Sequence, residues 1–330
     1  MRITRDILLT QARENAAKLV AKDRGIICIY LAGSLLLDDP LIGGITDIDL
    51  ICVHDRPVEK QREVIRLSAD INLDLAHYEK EVYEPARKLR TDAWIGGGFE
   101  SVPLVLHDSL RWYDFMRASA TAQFWRPENI ATRARSFLVP ARKTWSDLQD
   151  EVIPQGIKRV TAYLRALRDT ANGVIVLSGT PQPIRRLVSE LPSRSLQAGL
   201  LDFTGEFISL FTSSEVSDEK FSAWLSAYAA IFEEAKEINN FPADLQPFRR
   251  AYYEKAISSI YPEHPAAALW IMLQTWTKAA AHLPKSGESY KAWQTLCREL
   301  EVDTRNLPQR LEGFDALLDR AEEAVDRLTS

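Results

Sequence analysis

IICIYLAGS at residues 26–34 and TDIDLICVHD at residues 46–55 are the two stretches on which the fold turns. The first is a short apolar run rich in β-branched residues. It ends in Gly33-Ser34, which predicts a buried strand closed by a turn. Twelve residues separate Ser34 from Asp47. Within them DDPLIGGIT, with Pro40, Gly43 and Gly44, has loop chemistry. DIDLICVHD reads as a second strand, INLDLAHY (71–78) as a third and VPLVLHD (102–108) as a fourth. Upstream, Ile7, Leu8, Ala12, Ala16, Leu19 and Val20 recur at helical spacing through 5–23, with Gly25 as the stop. Helices are also expected over VEKQREVIRLSA (58–69) and over 79–92, before a turn at Gly96–Gly98. The first third is therefore expected to be a small mixed α/β unit.

From about residue 110 the pattern changes to helical periodicity. The segments are 128–150, 155–177, 194–212, 216–238, 245–260, 264–282, 287–300 and 308–328. Breakers fall at Pro154, GTPQP (179–183), LPSRS (191–195) and PEH (262–264). The last helix reads as amphipathic with a solvated acidic face. The expected class is α+β: a small mixed-sheet domain over 1–120, then an all-α helical-bundle domain over 121–330.

The chemistry concentrates on the second and third strands. A strand points alternate side chains to one face, so Asp47 and Asp49 point together while Ile48 and Leu50 point into the core. Neighbouring carboxylates repel unless a cation lies between them. A hard divalent ion such as Mg²⁺ takes oxygen ligands and shares its shell with substrate phosphates. Two such ions about 3.5–4 Å apart clamp the attacking and leaving oxygens of a phosphoryl displacement. Asp74, in mid-strand among apolar residues, completes the set if the third strand lies beside the second. Gly33 lets backbone approach a phosphate closely. The N–H groups there and the Ser34 hydroxyl can hold a triphosphate, aided by a helix N-terminus if one follows at 34–37.

LAGS, TDIDLIC and LDLAHY together resemble the DNA polymerase β-type nucleotidyltransferase superfamily over roughly residues 25–110. Its signature is Gly-Ser, a loop, acid-x-acid on the next strand and a third acid on a later one. The resemblance implies nucleotide binding at Gly33 and Ser34, metal binding at Asp47, Asp49 and Asp74, and Asp74 as ligand or general base. A small α/β unit followed by helices is similar to the aminoglycoside nucleotidyltransferases, of the kanamycin and streptomycin type. That similarity implies two Mg²⁺ ions, ATP or another NTP as donor, and a small-molecule hydroxyl as acceptor. The loop LLLDDPLIGG is longer than is usual there and lacks the second glycine of the pattern.

Further residues carry two readings each. Between 157 and 186 six basic residues face one acid, Asp169. Lys158, Arg165 and Arg168 share a helix face, which is either a triphosphate clamp or a solvated face. Tyr163 is an adenine stack or a packed aromatic. Trp112, Tyr113, Phe115, Phe124 and Trp125 line an acceptor pocket or pack a domain. His54, His77 and His107 show no metal-ligand spacing and read as structural, with His107-Asp108 near the expected site.

Composition sets the outer bounds. The 330 residues are 46% hydrophobic and 26% charged, as in ordinary globular chains. A net charge of −5 argues against nucleic acid as the acceptor, because phosphate backbones need an extended basic surface. Three cysteines form no CxxC pair and read as buried hydrophobes. No run is long and apolar enough to span a membrane, and MRITRDILLTQARENAAK is too charged for a secretory signal. A cytoplasmic enzyme is expected, with no membrane partner; the oligomeric state is left open. Other readings are a protein, nucleotide or RNA acceptor, a nucleotide-binding regulatory module without turnover, and a helical interaction protein with a degenerate catalytic domain.

Overall fold

The computed structural model describes residues 3–100, 104–212, 216–303 and 307–329. It divides into two compact units, Met1–Asn129 and Ile130–Ser330. The first unit holds a five-stranded mixed sheet and the second is helical, so the chain is α+β. Among the described residues no helix is long and apolar enough to cross a membrane.

In the first unit α1 (Arg5–Lys22) precedes β1 (Ile26–Ala32), β2 (Ile48–His54), β3 (Arg62–Arg66) and β4 (Asn72–Glu79). The four-residue α2 (Ile95–Gly98), β5 (Val105–Asp108) and α3 (Trp112–Thr121) follow. The sheet order is β3-β4-β2-β1-β5. Among the described residues only the β2–β4 pair is parallel; β1–β2, β1–β5 and β3–β4 are antiparallel. The first two residues of the expected fourth strand, 102 and 103, lie outside the described residues.

Alternation decides what each face does. On one face Ile29, Leu31, Ile48, Leu50, Leu73 and Leu75 are buried under Leu8, Ala12 and Ala16 of α1. On the other, Cys28, Tyr30 and Val53 pack with Tyr83, Phe99, Trp112, Tyr113 and Met116. Trp112 and Tyr113 are thus core residues; Phe124 is also buried, whereas Phe115 and Trp125 are exposed. Asp108, at the end of β5, ties down the start of α3: its carboxylate accepts from the backbone N–H of Trp112 and of Tyr113, each at 2.9 Å. These bonds satisfy two N–H groups of the first turn, which have no partner within the helix, and they account for Asp108 without a ligand.

Two expected helices differ, and the conditional one at 34–37 does not form. Residues 58–69 contain β3 instead. Val64 and Ile65 are β-branched, and β4 offers an unpaired edge whose ladder they complete, so pairing overrides the helical spacing. Residues 79–92 hold two short 3-10 turns, Lys80–Tyr83 and Ala86–Thr91, because Pro85 cannot continue a helix from Tyr83. The turn Gly33–Leu36 is likewise a four-residue 3-10 segment, too short to supply the dipole that a helix at 34–37 would have added.

The second unit comprises α4 (Pro127–Gln149), which begins just before it, α5 (Ile157–Ile175), α6 (Ile184–Gln197), α7 (Phe203–Ser209) and α8 (Asp218–Glu234). It continues with α9 (Arg250–Ile260), α10 (Pro265–Ala280), α11 (Glu288–Glu299) and α12 (Leu307–Thr329). α10 runs through its centre, with Trp270 and Trp276 fully buried. The helix expected over 194–212 is two helices. α6 runs through Pro192 and ends at Gly199, which is left-handed (φ +71°). The Leu200 N–H closes back on the Ser195 carbonyl there, the glycine-dependent C-terminal motif.

Candidate metal centre

The sheet register builds the acidic site. In the parallel pair Asp49 lies directly opposite Asp74, flanked by Ile48 opposite Leu73 and Leu50 opposite Leu75. The apolar neighbours are fully or almost fully buried on the α1 side, which forces both aspartates to the other face. Asp47 precedes β2 by one residue. An oxygen from each of Asp47, Asp49 and Asp74 lies within 4.8 Å of the others. Asp47 and Asp74 are only 3% and 5% exposed. Hard oxygen donors this close, two of them on paired strands, suit a hard divalent cation.

Asp47 and Asp74 are held from outside. The Asn72 amide donates from Nδ2 to Asp47 Oδ1 at 3.3 Å. Asn72 is 3% exposed, and its own Oδ1 has no hydrogen-bond partner among the described residues. By alternation it lies on the face of Asp74. An orphaned buried oxygen carries a desolvation penalty, and a cation or its water shell beside the acids would relieve it. Arg62 grips Asp74 with two bonds, Nε to Oδ1 at 2.9 Å and Nη2 to Oδ2 at 2.6 Å. Val64 is opposite Asp74 and Arg62 opposite Ala76. Arg62 is therefore the diagonal neighbour of Asp74 on the same face, within reach of a long side chain.

The glycine turn abuts this cluster. Ala32 pairs with Asp49, and Gly33 follows with φ +72°. A Cβ at Gly33 would collide with the Asp49 carboxylate, falling 2.8 Å from its Cγ. Glycine is needed for the backbone angle and for the space. Ser34 Oγ lies 2.5 Å from the Thr46 hydroxyl, which ties the end of the turn to the residue before Asp47. Both ends of the intervening loop thereby meet at the acids.

Gly33, Ser34, Asp47, Asp49 and Asp74 are brought together. Lys158 and Arg165 lie in the second unit, on α5, where both are exposed. Their helix neighbours have structural work. Arg159 is buried and donates from Nε and Nη2 to the Ile153 carbonyl. Arg168 donates to Asp169. Tyr163 is fully buried and donates to the Leu210 carbonyl at 2.8 Å; it is a core aromatic and no adenine platform.

Sequence reading missed Arg62 and Thr46, and it put Asn72 on the face of Asp74 without giving it a role. The position of Asn72, two residues before Asp74 on the same strand, was the available signal. Arg62 was hidden because its strand was read as a helix.

A second polar group sits on the opposite face of the sheet. His54 Nε2 and His77 Nδ1 share a hydrogen bond of 2.9 Å. Asp23 lies 3.7 Å from His54 Nδ1 and Glu63 lies 3.8 Å from His77 Nε2. Burial pushes both imidazoles below their ordinary pKa, and His77 adds to the effect at His54. A depressed histidine pKa means that the unfolded chain binds more protons below about pH 6.5, so stability falls as pH drops through that window. Wild type should therefore melt at a lower temperature at pH 5.5 than at pH 7.5, and His77→Gln should flatten that difference. An unchanged pH profile in the variant contradicts the assignment. Asp23 does not interfere, because its pKa is lowered from 3.8 and its window lies further down.

No protein-family model matches the chain, and no curated protein matches it.

Proposed function

We propose that the first unit is the catalytic domain of a Mg²⁺-dependent nucleotidyltransferase. It moves a nucleoside monophosphate from an NTP, ATP first, to a hydroxyl of a small-molecule acceptor such as an aminoglycoside. The observation that carries this reading is the meeting of three carboxylates beside a left-handed glycine on neighbouring strands. A binding-only module gains nothing from keeping three acids this close, even with Arg62 on Asp74.

Each residue has a role in that reaction. Gly33 removes side-chain bulk where the triphosphate comes closest, and the Ser34–Thr46 bond fixes the turn. Asp47, Asp49 and Asp74 would hold two Mg²⁺ ions, which supply charge neutralisation at the phosphates when bound. The acceptor hydroxyl oxygen attacks the α-phosphorus. The bond from that phosphorus to the oxygen bridging to the β-phosphate breaks, and pyrophosphate leaves. Where Asp74 is not a metal ligand, it would instead take the hydroxyl proton as general base. Lys158 and Arg165 remain proposed phosphate-binding cations.

Pyrophosphate release from each of the four NTPs, with Mg²⁺ and a panel of hydroxyl acceptors beginning with aminoglycosides, tests the reading. Release that needs both Mg²⁺ and an acceptor supports it. Nucleotide binding without release from any combination replaces it with the regulatory-module reading.

A further inference from the structure

We propose that Arg62 is a resident cation on Asp74 that must let go before a second metal ion can bind, so that without nucleotide the centre takes one ion and not two. The proposal rests on the metal-site reading above. Its first support is geometric. The guanidinium engages both Asp74 oxygens at once, and such a fork consumes one lone pair on each. A divalent ion competes for the same oxygens and is repelled by the guanidinium. Asp74 is also almost wholly buried, so little of its carboxylate is open from another side.

The second support is the placement of Arg62. β3 is an edge strand, and the Arg62 side chain is 58% exposed although the carboxylate that it grips is 6% exposed. The guanidinium reaches in from the rim and can swing out without unpacking the core. Once released, its planar fork fits phosphate oxygens as well as carboxylates. An incoming triphosphate therefore offers Arg62 a new partner and brings oxygen ligands for the second ion. Arg62 is a positioning residue that couples nucleotide arrival to completion of the centre.

The test is a Mn²⁺ titration of the full chain without nucleotide, with free Mn²⁺ read by electron paramagnetic resonance. Wild type should bind one ion per chain. Arg62→Gln should bind two, the second at least tenfold more tightly than any second ion on wild type. Arg62→Lys, which keeps charge and loses the fork, should fall between them and serves if the glutamine variant does not fold. Identical isotherms for wild type and both variants, or two equally tight ions on wild type, overturn the role of Arg62. Absence of binding to wild type and variants alike overturns the metal reading and the Arg62 proposal together, whereas loss of binding in Asp47→Asn with unaltered Arg62 variants overturns the latter alone.

Discussion

Asp47→Asn is expected to cut pyrophosphate release about a thousandfold or more while leaving the melting temperature unchanged or slightly raised. The substitution keeps the shape of a side chain that is 3% exposed and removes a charge from a cluster whose oxygens lie within 4.8 Å. Losing a metal ligand at the reacting phosphate removes several kcal/mol of transition-state stabilisation, and each factor of ten is about 1.4 kcal/mol. The metal-free fold loses one of three repelling carboxylates, so the sign of the stability effect is opposite or nil. Activity and stability thus move independently, which separates a chemical role from general unfolding. A variant with near-normal release sinks the scheme.

Gly33→Ala is expected to lower stability and abolish the centre together. An alanine at φ +72° costs about 1–2 kcal/mol in backbone strain. Its methyl group also needs the space of the Asp49 carboxylate, whose Cγ and Cβ lie 2.8 Å and 3.2 Å from the new carbon. Asp49 has to rotate away from Asp74, its partner across the strand pair. Asp49→Asn separates the two effects: it should lose Mg²⁺-dependent nucleotide binding and keep its melting temperature. A Gly33→Ala chain that melts and binds nucleotide like wild type contradicts the close packing of turn and acid.

Much of this site was legible in the sequence because strands with one buried face leave a clear trace. Ile48, Leu50, Leu73 and Leu75 mark the α1 face, and Asp47, Asp49 and Asp74 then follow on the other by alternation. The strand neighbours were legible only as a condition, since parallel pairing of β2 with β4 depends on long-range contacts. The edge was not legible. QREVIR has Val64 and Ile65 side by side with charges around them, as a half-exposed strand does and as a helix also does. Misreading it hid Arg62, whose grip on Asp74 exists only when β3 pairs with β4. In the second unit Pro192 suggested a helix break, yet the chain breaks at Gly199, where a left-handed residue is required. Lys158 and Arg165 share a helix face, but periodicity along one helix says nothing about what that face meets.

The most direct measurement is a thermal shift with ATP, GTP, CTP and UTP, each with and without Mg²⁺, on wild type and on the Asp47→Asn/Asp49→Asn double variant. A ligand at a hundred times its dissociation constant adds about 2.7 kcal/mol, worth several degrees for a unit of this size. The expected result is a shift for at least one nucleotide that needs Mg²⁺ and vanishes in the double variant. No shift with any nucleotide, or an equal shift in the variant, would contradict the assignment of Asp47, Asp49 and Asp74 to a nucleotide-metal centre.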